Sequence, residues 1–252
     1  METVQIRNLK IGEGMPKICA PIAGISREEI ISEAKLLCSH PVDIAEWRAD
    51  WFEDISDIDN VREVLKELRL ALAEIPLLFT FRTAQEGGEQ AISLQNYVTL
   101  NKMVIETKMA DLIDIELSTG EDRVTDLIRC AHAHDVKVIV SNHDFQKTPV
   151  KKELVERLCK MNKLGADIPK IAVMPKNRKD VLTLLSATEE ASEKLEHSPV
   201  ITMSMGELGV ISRICGETFG SSVTFGAVKK ASAPGQMDVN ALAEVLEIIH
   251  KI

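Results

Sequence analysis

The sequence predicts an α/β protein: an eight-stranded TIM (β/α)8 barrel preceded by a β-hairpin. Short apolar runs alternate with amphipathic stretches of helical spacing from about residue 18 to the C-terminus. Eight such units can be counted, and the length of 252 residues matches the roughly 250 residues typical of this barrel. We therefore expect one domain over residues 1–252, in preference to an open doubly wound sheet.

The elements follow from the periodicity of each segment in turn. Residues 2–12 have the pattern of a small hairpin. Apolar or alternating runs predict strands at 18–23, 43–48, 77–82, 112–117, 136–142, 168–174, 200–205 and 222–228. Apolar residues at helical spacing predict a helix after each strand, among them Ser26 to Cys38, Ile58 to Glu74, Asp122 to His134, Val150 to Leu164, Arg178 to Leu195 and Val239 to Ile249.

The charge balance argues against two classes of partner. Lys and Arg number 30 and Asp and Glu 39, a net charge of −9, and no basic block occurs. Nucleic acids and acidic membrane surfaces bind basic patches, so we expect neither as a partner. An anionic ligand would need a local cationic site.

The cysteines and the hydropathy pattern indicate the cellular compartment. Five cysteines, an odd number without any Cys-x-x-Cys pair, predict neither a disulfide framework nor a zinc ribbon. No apolar stretch approaches the roughly 20 residues that cross a bilayer, and the first fifteen residues lack a signal core. We expect a soluble protein in the reducing cytoplasm.

Lys170 is the residue that most needs an explanation. It lies within the run Ala166 to Met174, which otherwise has the composition of a fully buried strand. A buried ammonium pairs with a carboxylate or loses its proton, and the neutral amine is a nucleophile toward ketones and aldehydes. A structural ion pair is the alternative interpretation of this segment.

Ionisable residues recur on one face of the predicted strands. Residues two apart on a strand point the same way, and the apolar residues between them then face the helices. The set that would point into the barrel comprises Glu46, Arg48, Arg82, Glu116, His143 and Lys170, with Asp114 beside Glu116. Burying several charges is costly, and most lie near the C-terminal strand ends, where barrels of this kind carry their active sites. We interpret the set as a ligand site, with an internal salt-bridge network as the alternative.

Several segments form a recognisable combination of motifs: Ser141 to Phe145, Pro169 to Ala172, Glu86-Gly87-Gly88-Glu89, Phe225 to Ala227 and Ala231 to Gln236, extended by Glu46 to Arg48, Phe79 to Arg82, Met203 to Met205 and Gly209 to Arg213. Together they resemble type I 3-dehydroquinase. The resemblance covers nearly the whole chain. These motifs are specific in combination, and none would suffice alone.

The resemblance implies a dehydratase that converts 3-dehydroquinate to 3-dehydroshikimate through a Schiff base, without metal or cofactor, on a homodimeric barrel. At the matching positions, Lys170 would form the imine, His143 would transfer protons, and Glu86 would orient His143. Arg213, Ser232 and Gln236 would bind the substrate carboxylate, and Glu46, Arg48 and Arg82 the ring hydroxyls. The apolar walls would be Phe145, Met203, Met205 and Phe225.

Two residues depart from the family pattern as we expect it. Pro21 stands where some relatives have serine, and Glu207 adds a negative charge near the mouth of the site.

Two other functions remain open from the sequence alone. One is another lysine Schiff-base barrel, such as a class I aldolase or transaldolase, and the other is a catalytically silent barrel that binds an acidic metabolite or a protein.

Overall fold

The computed structural model describes residues 3–195, 198–229 and 232–251. Glu2, at the start of the predicted hairpin, and Ala231, in the C-terminal loop motif, lie outside the described residues.

Two short antiparallel strands, β1 (Val4–Ile6) and β2 (Leu9–Ile11), form the predicted N-terminal hairpin. Arg7 in the turn has a φ of 50°, in the left-handed region that a tight reversal of the chain requires. Ile6 and Ile11 are buried among apolar side chains inside the barrel, including Ile44 and Leu78. The hairpin therefore closes the N-terminal end of the barrel and leaves the opposite end for the site.

Eight parallel strands form the barrel, as predicted. They are β3 (Lys17–Ile22), β4 (Ile44–Arg48), β5 (Leu77–Thr80), β6 (Leu112–Glu116), β7 (Lys137–Asp144), β8 (Ile168–Val173), β9 (Ile201–Ser204) and β10 (Val223–Ala227). Neighbours in sequence pair along the sheet, and β10 returns to pair with β3. Between β9 and β10 the barrel closes through a bridge of Val200 with Ser221, whose Oγ accepts a hydrogen bond from Thr202 N at 3.0 Å.

The helices surround the strands. They are α1 (Arg27–Leu37), α2 (Ile58–Leu72), α3 (Leu94–Thr107), α4 (Glu121–Ala133), α5 (Lys151–Lys163), α6 (Arg178–Lys194), α7 (Ile211–Ile214), α8 (Gly216–Phe219) and α9 (Val239–His250). Their ends follow from caps: Ser26 and Glu29 form a capping box on α1, and Asn177 accepts hydrogen bonds at the start of α6. Within the described ranges, none of the helices has the length and apolar character that a bilayer crossing needs.

Two details differ from the sequence-based prediction. After β9 the chain forms the two short helices α7 and α8 where one helix was predicted, and Arg213 is in α7. A two-residue strand, β11 (Met237–Asp238), pairs with β10 beyond the barrel. A strand this short has no periodicity from which it could be predicted.

Side chains alternate across the strands as predicted. Leu77, Ile113 and Ile171 pack outward against the helices in the main hydrophobic core. Inside the barrel, the half nearer the hairpin is filled by apolar residues, namely Ile44, Leu78, Leu112, Ile139, Ile168 and Ile201. The charged residues follow two or four positions later on the same faces, so they occupy the C-terminal half of the interior.

Three aspartates fix the register of the strands that carry the site. Asp43, Asp111 and Asp167 each precede an even-numbered strand and accept a hydrogen bond from a backbone N–H at the start of the preceding strand, at 2.7 to 2.8 Å. The even-numbered strands β4, β6 and β8 carry Glu46, Asp114 and Lys170. A one-residue slip would turn these side chains outward, so the aspartates help to hold them inside.

Candidate active site

A cavity of about 460 Å³ opens at the C-terminal end of the barrel. It is lined by Glu46, Arg48, Arg82, Glu86, Gly87, His143, Phe145, Lys170, Ala172, Met203, Met205, Phe225, Ser232, Ala233 and Gln236. The lining includes the predicted catalytic and substrate-binding residues except Arg213, and the four predicted apolar wall residues. Of the inward-facing set, Asp114 and Glu116 are buried but are not in the lining. The structure thus gathers side chains from across the chain into one site.

Lys170 points into this cavity from the middle of β8 and is 3% exposed. Its direction follows from strand alternation, because the neighbouring Ile171 packs outward. Nζ donates a hydrogen bond to Asp114 Oδ2 at 3.0 Å and lies 4.6 Å from the centre of the Phe225 ring. The predicted burial is confirmed, and both an ion pair and a cation–π contact compensate it.

Asp114 is the centre of a charge network beneath the cavity. Its Oδ1 accepts a hydrogen bond from Ser141 Oγ at 2.6 Å and forms an ion pair with Arg82 Nη2 at 2.9 Å. The other terminal nitrogen of Arg82, Nη1, donates to Glu116 Oε1 at 2.9 Å and to Ser141 Oγ at 3.0 Å. Burial alone would raise the pKa of Asp114, but Arg82 and Lys170 hold it well below its ordinary value. The carboxylate therefore stays ionised.

His143 and Glu86 form a second pair at the cavity wall. Glu86 Oε2 accepts hydrogen bonds from both the backbone N–H and the ring Nδ1 of His143, each at 2.9 Å. Glu86 Oε1 accepts from Ser118 Oγ at 2.7 Å, which fixes the carboxylate in turn. Because the partner of Nδ1 is a carboxylate oxygen, Nδ1 carries the proton and Nε2 is left with a lone pair.

The surroundings of this pair favour a neutral imidazole. Burial, together with the cations Arg82 and Lys170, lowers the pKa of His143 well below its ordinary value. Burial also raises the pKa of Glu86, an effect that Arg82 partly offsets. At neutral pH the ring of His143 is therefore able to accept a proton at Nε2.

The loop that carries Glu86 needs its two glycines. Gly87 has a φ of 84°, and a Cβ there would lie 2.4 Å from the Phe145 ring. A Cβ on Gly88 would lie 1.9 Å from the carbonyl oxygen of Arg82. Side chains at either position would displace the loop, and with it the carboxylate that holds His143.

Arg48 and Glu46 are held on the opposite side of the cavity. Arg48 donates from Nε and Nη2 to both oxygens of the buried Asp50, at 2.8 and 2.7 Å, and from Nη1 to the carbonyl of Ser232 at 3.2 Å. Burial works against the charge of Arg48, but Asp50 raises its pKa above the ordinary value. Glu46 Oε1 accepts from Thr80 Oγ1 at 2.9 Å. Both charged groups thus have fixed orientations before any ligand binds.

Arg213 lies in the cavity wall on α7 and not in the lining. Nη2 donates to the carbonyl of Pro234 at 3.0 Å, and Nη1 lies 3.5 Å from the carbonyl of Phe225. Nε is buried without a hydrogen-bond partner, and none of the described carboxylates pairs with this guanidinium. Burial lowers the pKa of Arg213 to about 10. Nη1 also donates to Met203 Sδ at 3.9 Å. A buried cation whose partners are carbonyl oxygens and a thioether suits an anionic ligand.

The segment Ser232 to Gln236 covers the cavity next to Arg213. Gln236 Oε1 accepts from Ser232 N at 2.8 Å, and Gln236 Nε2 donates to Ser232 Oγ at 3.2 Å. Gly206 N donates to Pro234 O at 3.2 Å, and a Cβ on Gly235 would lie 2.5 Å from Gly206 O. The segment therefore docks by backbone contacts that only glycine permits at position 235.

The two departures from the family pattern are outside the cavity lining. Pro21 is buried within β3, opposite Glu46 in the register, and Glu207 is exposed in a short 3-10 helix after β9. Neither is among the described residues that line the cavity. We therefore expect them to affect the surroundings of the site and not its central groups.

Sequence reasoning missed several partners of the lining residues. Asp50, Thr80, Ser118 and Ser141 were not identified as part of the site, and Asp114 was noted only for its position on the inner face. Asp50 is fully buried and binds Arg48. The available signal was an aspartate two residues after the arginine that ends β4. Among the described residues, no group of three or more His, Cys, Asp or Glu is arranged to hold a metal ion.

Comparison with known proteins gives one consistent family. The family model of type I 3-dehydroquinase matches residues 18–252. A 3-dehydroquinate dehydratase of Clostridioides difficile (strain 630) is 55% identical over 98% of this chain and 97% of that protein, and one of Clostridium novyi (strain NT) is 54% identical over 100% of both.

Solved structures agree with these sequence matches. A 1.95 Å crystal structure of type I 3-dehydroquinate dehydratase from Clostridium difficile, described with covalent modified comenic acid, superposes with a TM-score of 0.96 at 55% identity, covering 99% of this chain and 98% of that chain. The 3-dehydroquinate dehydratase of Geobacillus kaustophilus gives a TM-score of 0.97 at 40% identity, covering 99% and 97%. The chain belongs to the type I 3-dehydroquinase family.

Proposed function

We propose that this protein dehydrates 3-dehydroquinate to 3-dehydroshikimate, a step of the shikimate pathway, through an imine formed on Lys170. The observation that carries the proposal is the buried Nζ of Lys170, which faces a cavity that also holds the neutral base His143. Membership of the type I 3-dehydroquinase family indicates the substrate. The arrangement of side chains in the cavity indicates the mechanism.

The reaction begins at the ketone of the substrate. The ammonium of Lys170 first loses a proton to water, and the resulting neutral amine attacks C3. The carbinolamine then takes up a proton and loses water to give an iminium ion. The positive nitrogen withdraws electrons from the adjacent C2–H bond, so that His143 Nε2 is able to take the C2 proton and leave an enamine. The enamine then expels the C1 hydroxyl, which leaves as water with the proton from His143. Hydrolysis of the imine releases the enone product and restores Lys170.

The charged lining orients the substrate for these steps. Arg213 suits the substrate carboxylate, because it is a buried cation without a carboxylate partner among the described residues. Ser232 and Gln236, which hydrogen-bond to each other in the structure, would turn toward the same group. Glu46, Arg48 and Arg82 would contact the ring hydroxyls. Fixed orientations lower the entropy cost of aligning C2 with His143.

Trapping the imine tests the whole proposal in one experiment. The protein is incubated with 3-dehydroquinate and sodium borohydride, digested, and the modified peptide is mapped by mass spectrometry. We expect one substrate-derived adduct, on Lys170, and a near-ultraviolet absorbance of the enone when borohydride is omitted. Protein incubated with borohydride alone is the control.

The outcomes separate the alternative functions. No adduct would contradict the Schiff-base mechanism and favour a catalytically silent barrel. An adduct and cleavage of a sugar phosphate, without the enone, would indicate a class I aldolase or transaldolase instead.

Glu86→Gln should move the acid limb of the pH profile. His143 acts as a base only when it is neutral, so activity falls as the pH drops through the pKa of its ring. A carboxylate beside the ring favours the protonated form, so its loss should shift the acid limb of kcat to lower pH by about one unit. The kcat at neutral pH should fall only partly, because the amide oxygen of glutamine still accepts from Nδ1.

The control for this variant is Glu89→Gln, the same change on the exposed part of the same loop. Its acid limb should match the wild type. A Glu86→Gln profile that moves to higher pH, or does not move, would contradict the proposed role of Glu86.

We propose further that residues 1–252 form one domain and that the protein is a cytoplasmic homodimer. Packing of Ile6 and Ile11 inside the barrel supports the single domain. Large exposed apolar side chains, such as Leu70 at 81% exposure, are available to an interface. The five free cysteines suit a reducing compartment. Sedimentation analysis at micromolar concentration would contradict the dimer if it gave a single species of 27.9 kDa.

A further inference from the structure

Asp114 makes the closest charged contact with the nitrogen that reacts. Its Oδ2 lies 3.0 Å from Lys170 Nζ, and its side chain is fully buried below the cavity. Asp114 cannot turn away from this position, because Ser141 Oγ and Arg82 Nη2 hold the other carboxylate oxygen at 2.6 and 2.9 Å. When Lys170 forms an imine, the nitrogen stays attached to the same side chain and in the same surroundings.

The protonation state of that imine nitrogen decides whether the next step occurs. Only the protonated iminium draws electrons from the C2–H bond, and an imine nitrogen is less basic than the amine from which it forms. Burial and neighbouring cations both favour loss of the proton. A carboxylate next to the nitrogen has the opposite effect.

Charged and titratable groups surround this nitrogen from several elements. They are Cys19 on β3, Glu46 and Arg48 on β4, Arg82 and Glu86 after β5, Asp114 on β6 and His143 on β7. The carboxylates other than Asp114 have different partners: Glu46 binds Thr80, and Glu86 binds His143. Deeper in the network, Glu116 binds Arg82 and Thr83.

We propose that Asp114 is a catalytic residue, the fixed counter-ion that keeps the imine on Lys170 protonated during proton abstraction and elimination. The proposal rests on the imine mechanism of the proposed function. Asp114 does not itself take a proton in this scheme, because the cations around it hold its pKa well below the ordinary value. Proton transfer remains with His143, and Asp114 acts through its charge.

The inference predicts a specific change in the pH profile of Asp114→Asn. Loss of the carboxylate makes proton loss from the iminium easier, so the alkaline limb of kcat should move to lower pH by about one unit or more. Activity should then approach the wild-type value at the acid end and fall about tenfold below it at the alkaline end. Asp114→Glu keeps the charge and should keep the wild-type alkaline limb, even with a lower kcat.

The matched control is Glu116→Gln. It removes a buried carboxylate from the same face of β6 and from the same partner, Arg82, but it does not touch Lys170. Its alkaline limb should stay within a few tenths of a unit of the wild type. Circular dichroism and thermal melting of each variant establish whether it is folded. If Asp114→Asn is unfolded, Asp114→Ser is used in its place.

The outcomes distinguish this inference from the proposed function. The counter-ion role of Asp114 is wrong if the neutral variants, Asp114→Asn or Asp114→Ser, keep the wild-type alkaline limb. It is also wrong if the alkaline limb of Glu116→Gln shifts as far as theirs. Absence of a borohydride adduct in the wild-type protein would instead refute the imine mechanism itself. An acid-shifted limb in the neutral variants, with Asp114→Glu and Glu116→Gln unshifted, supports the proposal.

Discussion

Lys170→Ala is expected to abolish turnover of 3-dehydroquinate while the protein remains folded. Without the amine no imine forms, and the C2–H bond next to a free ketone is far less acidic than next to an iminium ion. The fold should survive, because Asp114 keeps its ion pair with Arg82 and its hydrogen bond from Ser141 when the lysine is removed. We expect the melting temperature to fall by less than about 8 °C, which corresponds to less than about 2 kcal/mol.

The measurement is the near-ultraviolet absorbance of the product, together with thermal melting followed by circular dichroism. Lys176→Ala is the matched control, since Lys176 is exposed just beyond the end of β8. It should keep the wild-type rate. Wild-type turnover by Lys170→Ala would contradict the role of Lys170, and an unfolded variant would contradict the expected stability.

His143→Ala is expected to lower kcat on the order of 10³-fold and to accumulate the imine. Lys170 and Asp114 remain in place, so the amine is still able to condense with the ketone. Proton abstraction from C2 has then lost its base, because Glu86 reaches the cavity wall but is held by Ser118. The covalent species should be visible in the intact mass after borohydride reduction, as a fraction of protein larger than in the wild type.

A histidine outside the cavity provides the comparison. His134 lies at the end of α4 and bonds through Nδ1 to the carbonyl of Cys130, so His134→Ala should leave kcat and the trapped fraction unchanged. If His143→Ala gave no trapped adduct after long incubation, His143 would be needed for imine formation itself. The division of roles proposed for His143 and Lys170 would then be wrong.

Strand periodicity was enough to identify the inner face of the barrel. Ile171 and Val173 alternate with Lys170 and Ala172 along β8. In the structure, Ile171 and Val173 pack outside the barrel and Lys170 points inside. The same rule predicts that Glu46, Arg82 and His143 face one cavity, and all three line it. Side-chain direction alternates along each parallel strand, so these residues point to the same side of the sheet. The rule works because the side-chain direction on a strand depends only on position along the chain.

The sequence by itself determined the barrel, the inward charges and the family resemblance, since each rests on local periodicity or on short motifs. Only the tertiary structure decided which charge pairs with which. Asp114 reaches Lys170 across 56 positions of the chain, and Arg213 in α7 donates to the carbonyl of Pro234. Such pairings depend on strand register and on loop geometry at angstrom precision. The spacing of residues along the chain determines neither of these.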